Sequence, residues 1–207
     1  MPLDVNGNYF ENNEKVYEYE ASYYLDFQIF SALLSLQFLE TNCDESIWEN
    51  KYQYYHFYTD HLLFTLGQIS NRFLTENDDE LIQSRKEKNC INYSFSKDKY
   101  PIISNKWPRN VVVHIDERDQ RIIFEKGGVG GFCVIDSEVT SELEYTLRNK
   151  RNTQPYTLDL VNKKLLVRDR KNNITVNLIE LKNELLSLQN SVKSFMQAME
   201  KPYMKID

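Results

Sequence analysis

Apolar residues fall into helix-period stripes over most of the first 75 positions. Tyr23, Phe27, Phe30, Leu34 and Phe38 recur at helical spacing, and neither glycine nor proline interrupts them. A helix is therefore expected from Val16 to about Thr41. The polar run TNCDES at 41–46 breaks the pattern. A second stripe, formed by Tyr55, Tyr58, Leu62, Leu66, Ile69 and Phe73, predicts a helix from about Ile47 or Lys51 to Leu74. Gly67 lies inside it at a cost of about 1 kcal/mol relative to alanine, which points to close approach of a neighbouring helix. Two segments of similar length with a short connection predict an antiparallel helical hairpin.

Residues 75–100 are polar and mixed, and read as a short helix or a loop. After Phe124 the character changes. The run EKGGVGGF (125–132) holds four of the six glycines and predicts a turn or irregular loop. Ser137 to Lys150 is compatible with a short helix. From 156 to 179 the chain alternates and is rich in Leu, Val, Ile and Thr, with polar breaks at NKK and RKNN. Three short antiparallel strands follow from that pattern. Leu181, Leu185, Leu188, Val192 and Phe195 then predict a closing helix from Leu178 to Met199. The expected fold is mainly α, a helical bundle with a small antiparallel β-meander near the C-terminus. A single domain is expected over 1–207. Its bundle core is 16–125, its loop and meander insertion is 126–180, and its C-terminal helix is 181–200.

Composition narrows the function classes. Hydrophobic residues make up 41% of the 207, which is enough for a core and excludes disorder for most of the chain. The formal net charge of −6 argues against a protein that coats nucleic acid nonspecifically, yet leaves room for a local site for a few phosphates. Cys43, Cys90 and Cys133 are far apart and form no CxxC pair. The polar, acidic start predicts no secretory leader, and no apolar run reaches the ~20 residues that span a bilayer. A soluble, reducing, cytoplasmic setting with free thiols and no membrane association is the expectation.

The stretch WPRNVVVHIDERDQR (107–121) concentrates the candidate chemistry. Val111, Val112 and Val113 are β-branched and in isolation favour a strand. Their flanks favour a helix. Pro108 suits a first helical position, and Glu117 and Arg121 stand in the favourable order for a helical ion pair. On a helix, Asn110 and His114 are four apart and share a face. Arg109, in the first turn, can swing toward it. The same turn exposes free backbone N–H groups and the positive end of the helix dipole, an anion site. A guanidinium, an amide and an imidazole gathered there are suited to holding and cleaving a phosphodiester.

Those six residues, RNVVVH (109–114), resemble the R-x4-H signature of the HEPN superfamily, many of whose members are ribonucleases. The polar residue after the arginine, here Asn110, and the preceding helical hairpin strengthen the resemblance, which covers roughly 16–125. It implies metal-independent RNA cleavage without a cofactor, in which the ribose 2′-OH attacks the adjacent phosphorus and leaves a 2′,3′-cyclic phosphate and a 5′-OH. His114 would then be general acid or base and Arg109 the phosphate ligand. Asn110 would orient the pair or donate to the phosphate. On the residues themselves, Glu117 is placed to orient the imidazole or to pair with Arg121, and Arg118, four beyond His114, to touch RNA, while DERDQR (116–121) reads first as a solvated helix face with ion pairs. The resemblance also implies a homodimer with motifs facing across a shared cleft, a toxin or phage-defence role, and an antitoxin or regulatory protein as partner.

Other constellations are weaker. His56 and His61 are five apart on the second helix, whereas helical zinc pairs prefer a spacing of four, so no metal site is expected. GGVGGF lacks the Lys-Ser/Thr of a phosphate loop. The tyrosine-rich runs YEYEASYY (17–24) and YQYYHFY (52–58) have rings able to stack on bases, but at helical spacing they more often serve a core or an interface. The alternatives to a nuclease are a non-catalytic module of the same fold that binds a nucleotide or protein, and a structural interaction protein whose aromatic helices pair with a partner.

Overall fold

The computed structural model describes residues 13–41, 51–74, 79–105, 132–137, 156–168 and 173–200. Among them are four helices, α1 (Asn13–Glu40), α2 (Lys51–Asn71), α3 (Glu80–Asn92) and α4 (Leu178–Glu200). There are four strands, β1 (Phe132–Ile135), β2 (Tyr156–Asp159), β3 (Lys164–Arg168) and β4 (Asn173–Asn177). The expected mainly helical character is present, with a small sheet toward the C-terminus.

Side-chain contacts fix the α1–α2 hairpin as antiparallel. Gln28 Nε2 donates to Gln68 Oε1 at 3.1 Å, Ser35 Oγ meets His61 Nδ1 at 2.8 Å, and Tyr54 donates its hydroxyl to the Phe38 carbonyl at 2.8 Å. Partners on α2 fall in number as those on α1 rise. Gly67 of α2 is buried. Leu62, Leu66, Ile69 and Phe73 of the α2 stripe are buried as the pattern requires, and so are Leu181, Leu185, Leu188 and Val192 of α4.

The aromatic stripe of α1 behaves differently. Tyr23, Phe27 and Phe30 are 59%, 60% and 53% exposed, and Leu34 is exposed as well. The buried face is Leu25, Ile29, Ala32, Leu36 and Leu39. A step of two residues turns a helix by about 200°, so Ile29 and Leu36 lie nearly opposite Phe27 and Leu34. α1 thus has two apolar faces, and the smaller, aliphatic one packs against α2 and α4.

α3 is the short helix that was one of the two readings expected in 75–100. Asp79 caps it by accepting from the Ile82 N–H at 2.9 Å. At its end, Phe95 N–H bonds the Cys90 carbonyl and Ser94 N–H bonds the Ile91 carbonyl, a Schellman pair with Ser94 left-handed at φ 49°. The left-handed turn carries the chain inward. Phe95 stacks on Phe73 with centroids 3.9 Å apart, and Tyr100 stacks on Phe95 at 5.0 Å.

The sheet runs in the order β1-β2-β3-β4. β2, β3 and β4 form the expected antiparallel meander. β1 adds to it in parallel, with Phe132 beside Tyr156, so the sheet is mixed and not purely antiparallel. The sequence pattern misses β1 because Cys133, Val134 and Ile135 are all buried. A strand covered on both faces shows a continuous apolar run and no alternation. The remainder of the short helix expected over 137–150 lies outside the described residues. β4 passes directly into α4, where Asn177 Oδ1 accepts from the Ile179 and Glu180 N–H groups. Val134, Leu158, Leu165, Val167 and Val176 of the sheet share one core with the helices. No helix among the described residues is long and apolar enough to cross a membrane.

Leu36 and Leu185 are fully enclosed, so Leu36→Ala and Leu185→Ala are each expected to lower stability by about 2–5 kcal/mol in urea unfolding. Unchanged midpoints would place these side chains outside the core.

Candidate functional site

Arg109, Asn110, His114, Glu117 and Arg118 all fall within 106–131, outside the described residues. The structure describes how the chain is held on either side of that segment. Tyr100 and Ile103 are fully buried, and the turn between them is pinned twice. Ser70 Oγ, near the end of α2, donates to the Ile103 carbonyl at 2.6 Å. From α4, Glu184 Oε2 accepts the Ile102 N–H at 3.1 Å and the Ile103 N–H at 3.0 Å. The Tyr100 hydroxyl reaches Ser191 Oγ of the same helix at 3.3 Å.

Beyond the segment, β1 is held to β2 and to α2. The Ile135 carbonyl accepts from the Leu160 N–H at 2.9 Å. Asp136 forms an ion pair with Lys51 at the start of α2, which holds the Lys51 ammonium above its ordinary range. The two anchors on α2, Ser70 and Lys51, are about 28 Å apart at 1.5 Å per residue.

Glu184 is the most consequential titratable group in this frame. Burial pushes its carboxyl above the usual range, the Ile103 and Ile102 N–H groups pull it back, and neighbouring Glu180 adds a smaller push upward. The net direction is upward. Sequence reading passes over Glu184 because it sits beside Leu185 on an otherwise apolar seam, where an acid reads as the helix's polar edge. The signal it does carry is that position. An acid against a buried seam needs donors, and the first turn after Pro101 supplies them.

The two histidines of α2 have separate roles. His56 Nε2 lies 3.3 Å from Asp60 on the exposed side. His61 is engaged by Ser35 and lies parallel to the Phe57 ring. Among the described residues no group of three His, Cys, Asp or Glu side chains is placed to hold a metal ion. The Cys90 thiol is pushed upward by burial and by Glu87, which keeps it protonated and a poor nucleophile. An open groove lies between the end of α3 and α4, lined by Asn92, Ser94, Ser187, Asn190 and Ser194 over the Phe195 ring. Its lining offers neutral hydroxyls and amides with no acid or base.

Glu184→Ala leaves two N–H groups without their acceptor and is expected to cost about 1–3 kcal/mol. Glu184→Gln keeps an oxygen at the Oε2 position and is expected to cost much less. The raised carboxyl binds its proton more tightly in the folded state. Its contribution to stability is full at acid pH and is lost as the pH rises from about 4, the ordinary glutamate range, through the raised value. Urea melts across pH should therefore show Glu184→Gln gaining on wild type as the pH rises. A constant difference would mean that the carboxyl titrates alike in both states.

Compared with protein-family models, with curated proteins and with solved structures, the chain matches none.

Proposed function

We propose that the chain is a metal-independent endoribonuclease of the HEPN type. The observation that carries this reading is the pairing of Arg109 and His114 in RNVVVH, with Asn110 directly after the arginine. The antiparallel α1–α2 hairpin ahead of the motif supports it.

The chemistry asks little of the protein beyond these groups. The nucleophile is the substrate's own 2′-OH, so no water has to be activated. Its oxygen bonds to phosphorus while the bond from phosphorus to the 5′-oxygen breaks. His114 moves the proton, either taking it from the 2′-OH or delivering one to the departing 5′-oxygen. Arg109 holds the non-bridging oxygens as charge builds on them. Asn110, one turn before His114, orients the imidazole or donates to the phosphate. Glu117 and Arg118 take the outer positions, on the imidazole and on the RNA backbone. A toxic or defence role, restrained by a partner protein, goes with this reading.

RNA incubated with the protein in excess chelator should yield fragments ending in 2′,3′-cyclic phosphate. Arg109→Ala and His114→Ala should each slow cleavage by about 100-fold or more while the far-ultraviolet circular dichroism stays unchanged. Cleavage that requires added metal, or full activity in His114→Ala, would refute the mechanism. RNA binding without turnover would mark a non-catalytic module instead.

A further inference from the structure

Several lysines of the described residues meet an acid. Lys51 pairs with Asp136, Lys88 with Glu18, Lys182 with Glu40 and Lys193 with Asp26. Arg72, in the turn that follows α2, differs. Its side chain is half-buried, and its Nε donates at 2.8 Å to Gln28 Oε1, a neutral acceptor. Among the described residues no carboxylate pairs with it. We propose that Arg72 anchors a binding site for a phosphate group.

The fold does not otherwise call for a cation there. An arginine at the end of a helix often bonds the last carbonyls, but this end of α2 is already served. The Ile69 carbonyl accepts from the Arg72 N–H, and the Ser70 carbonyl from those of Phe73 and Leu74. From α3, Asn89 Nδ2 donates to the Arg72 carbonyl at 3.0 Å, Lys86 Nζ to the Leu74 carbonyl at 2.7 Å, and the Cys90 thiol to the Phe73 carbonyl at 3.8 Å. A neutral donor would serve Gln28 as well as a guanidinium does. Burial lowers the Arg72 guanidinium from its ordinary value; the Tyr93 and Tyr17 phenols oppose that, and no carboxylate contributes. A charge partly withdrawn from water without a counter-charge is costly, and this chain has more acids than bases.

The side chain is set for an oxyanion. Gln28 holds Nε while its own Nε2 donates to Gln68 Oε1 at 3.1 Å, so the guanidinium plane is fixed from α1 and α2. The two Nη groups are left, and their paired N–H bonds fit two oxygens of one anion. On α1, Tyr17, Ala21, Tyr24 and Gln28 share a face by their spacing. Ala21 puts only a methyl group on that face between Tyr17 and Gln28.

A second guanidinium favours phosphate over carboxylate. Arg85 of α3 lies over the Tyr17 ring, with Cζ 4.9 Å from the centroid. Tyr17 is also one of the two phenols that act on Arg72. Arg85 forms no ion pair among the described residues, and Glu18, next to Tyr17, is taken by Lys88. Two unmatched positive charges attending one exposed tyrosine suit a phosphate group, which carries up to two negative charges, better than a carboxylate, which carries one. The group comes either from a small phosphate compound or from a nucleic acid strand. Every residue of the site is described, and the site stands whether or not the chain cleaves RNA.

Inorganic phosphate, titrated into the full chain at constant ionic strength, should bind saturably by calorimetry and should shift the Arg72 side-chain N–H resonance in the unaltered protein. Arg72→Gln should weaken binding about tenfold or more. Arg72→Lys, which keeps the charge and loses the planar fork, should also weaken it, and Arg85→Gln should weaken it less. If Arg72→Gln loses its fold, the Arg72 resonance and Arg85→Gln carry the test. Deoxyoligonucleotides with a 5′-phosphate or a 5′-hydroxyl, which lack the 2′-OH that the proposed cleavage needs, then compete with phosphate. Displacement by the phosphorylated strand alone assigns the site to strand ends, displacement by both to the backbone, and displacement by neither to a small phosphate compound. A titration that does not saturate, an Arg72 resonance that stays still, or undiminished binding in folded Arg72→Gln would each overturn the site.

Discussion

Leu181, Leu185, Leu188 and Val192 make a seam along α4 that is wholly removed from water, and the rest of the molecule is arranged on that seam. At about 2 kcal/mol for each fully buried side chain, it is a large apolar contribution from one helix. Its consequences extend beyond packing. Because the seam seats α4, Asn177 at its start aligns β4 with the core, Glu184 meets the turn after Tyr100, and Phe195 closes edge-on over Tyr93 with centroids 5.4 Å apart. Moving the helix by one turn would separate all three contacts at once.

Polar groups then specify what apolar burial leaves open. Burial of Tyr100 and Ile103 alone would tolerate several paths for the chain between them. Hydrogen bonds from two different helices, one through Ser70 and one through Glu184, select a single path. The same logic holds at β1, where the Ile135 carbonyl and Asp136 attach the strand to its neighbour and to α2. The chain is thus held to α2 on both sides of residues 106–131, by Ser70 at Ile103 and by Lys51 at Asp136.

The two faces of α1 divide labour by size and shape. Its inner face uses Ala32 beside Leu25, Ile29, Leu36 and Leu39, which allows close approach to α2 and α4. Its outer face carries exposed rings, which present a large apolar area on few rotatable bonds. Polar side chains placed between the faces, Ser35 against His61 and Gln28 against Gln68, seal the hairpin edge.

The sequence by itself determined where regular structure occurs and which chemistry is on offer. Helical periodicity marks α1, α2 and α4 within a few residues, alternation marks β2 to β4, and RNVVVH stands out by residue type alone. Periodicity finds a stripe but does not say which stripe is buried when a helix has two. Tyr23, Phe27, Phe30 and Leu34 have the stronger apolar pattern, yet the tertiary structure turned them outward and buried the aliphatic face, Leu25, Ile29, Ala32, Leu36 and Leu39, against the other helices. β1 was illegible for the converse reason, since burial on both faces erases alternation. Only tertiary structure decided that Glu184, an acid on a leucine seam, would gather two backbone N–H groups from a turn some 80 residues away in the chain. Local pattern records the period of a segment, and the partner that completes it comes from elsewhere in the fold.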